Sequence, residues 1–108
     1  MANQRTKFDQ AADELGLDLD QRASLLVLHE DPYLKWLESG HGLEISRRRL
    51  VEITDVLLLL ATVHSPESAR SWLYSPDQNM RSRVPAAVLR VGKVDEVRDH
   101  VEAMGGFT

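Results

Sequence analysis

The sequence predicts an all-α fold, and three observations carry that prediction. Apolar residues recur at spacings of three and four in one segment after another. The segments are punctuated by helix-start residues (Asp18, Ser46, Ser65-Pro66) and helix-stop glycines (Gly16, Gly40, Gly92). No alternating run of β-branched residues lies between turn pairs, so strand signals are nearly absent.

The first helix is expected from about Thr6 to Leu15. Phe8, Ala11, Ala12 and Leu15 form one face, and Gly16 suits the left-handed position that ends a helix. A second helix starts near Asp18 or Asp20 and presents Leu19, Ala23, Leu26 and Val27 on one side. Asp31-Pro32 reads as a capping carboxylate followed by proline at the first helical position. The helix it opens carries Leu34, Trp36 and Leu37, all expected in the core, and stops at Gly40.

After a loop at Gly40-His41-Gly42, a long helix begins at the Ser46 cap and runs to about Val63, with Leu50, Ile53, Leu57 and Leu60 as its stripe. Val56 to Ala61 is apolar all round. Such a helix is expected to be buried on every side, in the core or in a subunit interface. Ser65-Pro66 opens the next helix, which carries Ala69, Trp72 and Leu73 and must end before Pro76. Pro85 opens a brief helix closed by Gly92. The last helix places Val94, Val97, Val101 and Met104 on one face and is stopped by Gly105-Gly106. His64-Ser65 marks an internal boundary, dividing the chain into a helix-turn-helix-like part (1–64) and a C-terminal helical unit (65–108).

Composition narrows the function. The chain has 108 residues, ordinary apolar content (43%), a net charge of −4 and no cysteine. Thiolate chemistry, disulfides and thiolate metal sites are excluded, and a reducing compartment fits. The acidic balance argues against a dedicated nucleic-acid binder without excluding one basic face. The start of the chain shows no apolar signal segment, and the Val56–Ala61 run is far too short to span a bilayer. A cytoplasmic protein without membrane contact is expected.

Nothing points to catalysis. His29, His41, His64 and His100 stand apart from any metal-ligand spacing. Asp18/Asp20 and Asp95/Glu96 sit where helix N-termini favour negative charge. No nucleophile elbow or phosphate loop is present. The expectation is no enzyme, no metal and no cofactor.

Binding has better candidates. Asp18 to Ser39 has the outline of a helix-turn-helix, in which the second helix is the reader. That helix begins with Glu30 and Asp31, which repel phosphate, and carries Lys35 as its cation. A helix pair that packs without reading DNA fits the same outline. Arg47-Arg48-Arg49 stands in the first turn of the long helix, against the helix dipole, at a cost of a few tenths to about 1 kcal/mol. Pairing with Glu44, Glu52 or Asp55 answers it, and so does contact with phosphate or an acidic partner. Trp72 and Tyr74 read as packing residues. The tail Gly105-Gly106-Phe107-Thr108 reads either as a frayed end or as an arm that puts Phe107 into a partner's pocket.

From Asp18 onward, and most clearly from Arg48, the order of motifs resembles the Xre/MbcA/ParS antitoxin family. Arg49-Leu50 opens a long helix. Trp72-Leu73-Tyr74-Ser75-Pro76, Arg83-Val84-Pro85 and Gly92 follow, and an apolar helix from Val94 to Met104 closes the chain. Met80-Arg81-Ser82-Arg83 departs from the family, many members of which carry glycine or leucine near this loop. The resemblance implies an antitoxin partnered with a RES-fold toxin that consumes NAD or transfers ADP-ribose. It implies that the C-terminal end covers the toxin's NAD pocket, with Met104 as the base of a plug formed by Gly105, Gly106, Phe107 and Thr108. Trp72, Ser75, Pro76 and Arg83 would shape the unit that presents it. Many members also repress their own operon through the N-terminal helix-turn-helix, which makes operator DNA a second candidate partner, and Lys35, Arg47, Arg48 and Arg49 are the residues that the charge pattern offers for it. A homodimer or a larger assembly with the toxin is expected as well.

Overall fold

The computed structural model describes residues 3–105, so Gly106, Phe107 and Thr108 of the expected plug lie outside the described residues. The described residues form seven α-helices: α1 (Gln4–Glu14), α2 (Leu19–Leu25), α3 (Glu30–Ser39), α4 (Arg47–Val63), α5 (Pro66–Leu73), α6 (Pro85–Arg90) and α7 (Val94–Gly105). A 3-10 turn, Gln78–Met80, lies between α5 and α6. Among the described residues no strand forms beyond an isolated bridge between Asp77 and Arg83.

Most boundaries follow from local chemistry. Asp18 caps α2 by accepting from the Gln21 N–H, and the Gln21 side chain accepts in return from the Asp18 N–H, a reciprocal capping box. Ser46 and Ser65 cap α4 and α5 as expected, accepting from Arg49 N–H and Ser68 N–H. The start of α3 differs from expectation. The helix begins at Glu30 with His29 as its cap, and His29 makes no side-chain capping bond. Pro32 is therefore the third helical residue, where the missing N–H costs nothing because no intrahelical acceptor exists for it. Gly105 is the last helical residue of α7 rather than the first beyond it.

The buried side chains form one continuous cluster that draws on both sides of His64-Ser65. Helix α4 is its axis, packed by α1 on one flank and α7 on another. Phe8, Ala11, Ala12 and Leu15 of α1 and Val94, Val97 and Val101 of α7 are all buried against it, as their spacing predicted. Tyr33 and Trp36 of α3 stack edge-on with Phe8, at ring separations of 6.2 and 6.3 Å.

Apolar expectations fail at four positions, three of them in the N-terminal part and the fourth Met104 at the end of α7. Leu58 is 40% exposed, so α4 is not buried on every side: two neighbours cover two flanks and leave the third open. Leu34, expected in the core, points outward while Tyr33 takes the inner position. Val27 is exposed because α2 has already ended at Leu25 and the backbone has turned into the left-handed region, with φ 58°.

That turn is one of three of a single kind. Leu28 N–H returns to Ala23 O and Val27 N–H to Ser24 O. The same pair of bonds closes α1 at Gly16-Leu17 and α6 at Gly92-Lys93. Glycine holds the left-handed position in the latter two, and Val27 holds it in α2.

Candidate functional site

The predicted site residues fall into three groups. The first surrounds Trp72. Its indole Nε1–H donates to Asp77 Oδ2 at 2.6 Å. Asp77 Oδ1 accepts from the Asn79 N–H at 2.7 Å, and Asp77 N–H donates to Arg83 O at 3.1 Å. Arg83 in turn donates from Nε to Met80 O at 2.9 Å and pairs through its guanidinium with Glu96 of α7. Trp72 and Arg83 are thus joined through Asp77, and the loop between α5 and α6 is tied to α7. Ser75 and Pro76 are exposed where this loop leaves α5. The bond from Trp72, with the Asn79 N–H behind it, holds the Asp77 carboxyl below its usual range. The bond from Arg83 does the same for Glu96.

Arg81 and Ser82, where the sequence departs from the family it resembles, both take the left-handed conformation, with φ 59° and 61°. Non-glycine residues there are held by the surrounding bonds, including Ser82 N–H to Asp77 O at 2.9 Å.

The second group is the end of α7. Met104 is 40% exposed rather than core. Its Sδ lies 3.1 Å from Nε2 of His64, the residue that terminates α4. Glu96 and Met104 are eight positions apart on one helix, about 12 Å at 1.5 Å per residue. The Trp72–Arg83 group and the Met104–Gly105 end are therefore separate features of the C-terminal unit, one at each end of α7.

The third group is cationic. Arg48 pairs with Glu52 at 2.9 Å, one helical turn on. Arg49 is turned inward. Its Nη2 donates to Leu89 O at 3.3 Å and to Arg90 O, the carbonyls at the end of α6. A cation at a helix C-terminus satisfies both orphan acceptors and the dipole, which explains an arginine that its own helix disfavours. Arg47 and Lys35 are exposed, on α4 and α3.

Several structural residues were missed. Arg70 Nη1 donates to Leu15 O at the end of α1, 2.8 Å away, and lies where a side chain on Gly16 would stand. The guanidinium of Arg5 occupies the same place beside Gly40 at the end of α3. Arg22 binds Leu17 O at 2.9 Å, Asp9 at 3.0 Å and Asp13. Asp9 also accepts from the Tyr33 hydroxyl, so one carboxylate joins α1, α2 and α3. The available sequence signal was a helix-ending glycine recurring with an arginine elsewhere, which names no pair. Tyr74 packs as expected. Its hydroxyl is buried without a hydrogen-bond partner among the described residues. Burial, with Asp18 and Asp20 nearby, pushes it up to about 12.

Among the described residues no group of His, Asp or Glu is placed to hold a metal ion. No helix is long and apolar enough to cross a membrane.

No protein-family model matches the chain. Curated relatives do. It is 26% identical over 96 residues to the mycobacterial cidal antitoxin MbcA of Mycobacterium bovis, a match covering 87% of this chain and 84% of that protein. MbcA of Mycobacterium tuberculosis matches to the same extent. The chain is thus similar to MbcA along most of its length. These relatives are antitoxins. The helical fold is likewise that of a chain in the crystal structure of the M. tuberculosis MbcT–MbcA toxin–antitoxin complex. The TM-score is 0.83 at 23% identity, with 100% of this chain and 98% of that chain covered.

Proposed function

We propose that the protein is the antitoxin of a toxin–antitoxin pair, and that it neutralises a RES-type toxin that consumes NAD or transfers ADP-ribose. The observation that carries this reading is the match to MbcA along 87% of the chain. The fold match to a chain of the MbcT–MbcA complex covers 100% of this chain, so α7 and the helices that hold it share in the likeness.

The proposed mechanism is steric. Helix α7 is a rigid rod, buried along Val94, Val97 and Val101 against α4. It is stapled at its start by Arg83–Glu96 and touches His64 near its end. Whatever follows Gly105 is delivered from a fixed position. Phe107 and Thr108 then occupy the toxin's NAD pocket, with Met104 as the exposed apolar base. Inhibition of this kind needs no chemistry from the antitoxin. It needs only a bound state that excludes the cofactor.

The geometry offers less to operator binding. Arg49 is engaged with α6 and Arg48 with Glu52, while Glu30 and Asp31 head α3 beside Lys35.

Co-expression with the cognate toxin tests the proposal. Cells carrying both are expected to grow and keep their NAD, and cells carrying the toxin alone to arrest. Arrest and NAD loss despite a folded, abundant partner chain overturn the reading.

A further inference from the structure

Two outward faces of this molecule are complementary to each other. Along α6 and its two caps, Val84, Ala87 and Val91 fall at spacings of three and four; Val84 is half-buried against the core, Ala87 is exposed and Val91 is 70% exposed. They line one side of a shallow cleft of about 360 Å³, with Arg83 and Lys93 at its rim. From Gln78 to Val94 the chain carries Arg81, Arg83, Arg90 and Lys93 and no acidic residue. This is an apolar strip with a cationic border on a protein whose net charge is −4.

On α3 the signs reverse. Glu30, Leu34 and Glu38 recur every four residues along the outer ridge, and Asp31 stands three before Leu34. Leu34 is 47% exposed, and Val27, just before the helix, is 52% exposed. This is an apolar pair bordered by three carboxylates. Among the described residues, nothing covers Leu34 on the one face or Ala87 and Val91 on the other.

We infer that the α3 face of one copy docks on the α6 face of another. Leu34 enters the Val84–Ala87–Val91 strip, and Glu30, Asp31 and Glu38 meet Arg90 and Lys93. An apolar centre inside a charged border is the usual anatomy of a protein contact. Nucleic acid fits the basic face less well. Its centre offers phosphate nothing, and the Arg83 charge is already answered by Glu96. Because the two patches differ, the contact is heterologous. Copies add head to tail, into a ring or a growing chain, rather than pairing about a twofold axis. This association is separate from toxin binding and stands or falls apart from it.

Sedimentation velocity on the full chain, at low and high salt, reads the association. The wild type is expected to form concentration-dependent species larger than a monomer at low salt, and to lose them at high salt as screening weakens the charged border. Lys93→Glu, alone and with Arg90→Glu, is expected to weaken association about tenfold. Glu38→Lys does the same from the other side. It places a cation in the last turn of α3, where the helix dipole favours it, so folding is retained. Circular dichroism melts verify that each variant is folded. An equimolar mixture of the two reversed variants is expected to re-associate, since each then carries the face that the other lost.

A wild type that stays monomeric at low salt overturns the proposal. So do single-face variants that sediment as the wild type does, which would place self-association elsewhere, such as the Leu58 groove between α1 and α4. A mixture that fails to re-associate overturns it too. So does loss of operator DNA binding in Lys93→Glu with self-association unchanged.

Discussion

Val27 occupies a position built for glycine. It sits where Gly16 and Gly92 sit in the two matching turns, and it is half exposed, so its side chain gains little from burial. A non-glycine residue in the left-handed region costs about 1–2 kcal/mol, and glycine returns part of that through unfolded-state entropy, about 0.5–1 kcal/mol. Val27→Gly is therefore expected to stabilise the fold by several tenths to about 1 kcal/mol, raising the melting midpoint by a few degrees. Gly92→Ala is the control of opposite sign. Its φ is 92°, and the added carbon meets Arg49 at 3.4 Å, so the midpoint should fall. Asp77 gives a prediction in pH. Its folded-state carboxyl titrates below the ordinary 3.8, chiefly because Trp72 donates to it. Its stabilising contribution is thus present above that ordinary value and is lost as pH falls through the lower, folded value. The Trp72 indole N–H resonance should titrate in acid with a midpoint below pH 3.8. Movement centred above pH 3.8 contradicts the assigned bond.

Between elements, the arginines do work that their own segments do not reveal. Arg49 ends α6 from 40 residues away, and Arg70 ends α1 from 55. Arg49→Met is expected to destabilise by about 1 kcal/mol, the scale of a lost hydrogen bond to partly buried carbonyls. Arg47→Met, on the exposed neighbour, should stay within about 0.5 kcal/mol of wild type. Denaturant melts of the pair separate the two roles of one arginine run. The same contrast explains what was legible beforehand. Phe8, Ala11, Ala12 and Leu15 announce a helix face because the signal is local, and the caps at Asp18, Ser46 and Ser65 need only the next three residues. Leu34 and Leu58 were misplaced because periodicity gives a stripe but not which neighbour covers it. Periodicity read Trp72 as a packing residue because its bond to Asp77 depends on the turn after Pro76. Within the candidate site, Trp72, Arg83 and Met104 were visible as motif positions. The staples that hold them, Asp77 and Glu96, were not.

At the scale of the whole molecule, α4 is the axis on which α1 and α7 are mounted. Leu57, fully buried on it, should cost about 2–5 kcal/mol as alanine, enough to unfold a small domain of ordinary stability. Toxin binding should fail with it. The α7 rod is useful only if its free end meets a partner's cofactor site, and that is the central claim. The direct measurement is NAD consumption by the purified cognate toxin, titrated with the full chain and with a chain ending at Met104. The full chain should stop consumption at a fixed molar ratio. The shortened chain should still bind, through the body that α4 organises, yet leave consumption running. Equal inhibition by both chains contradicts the account.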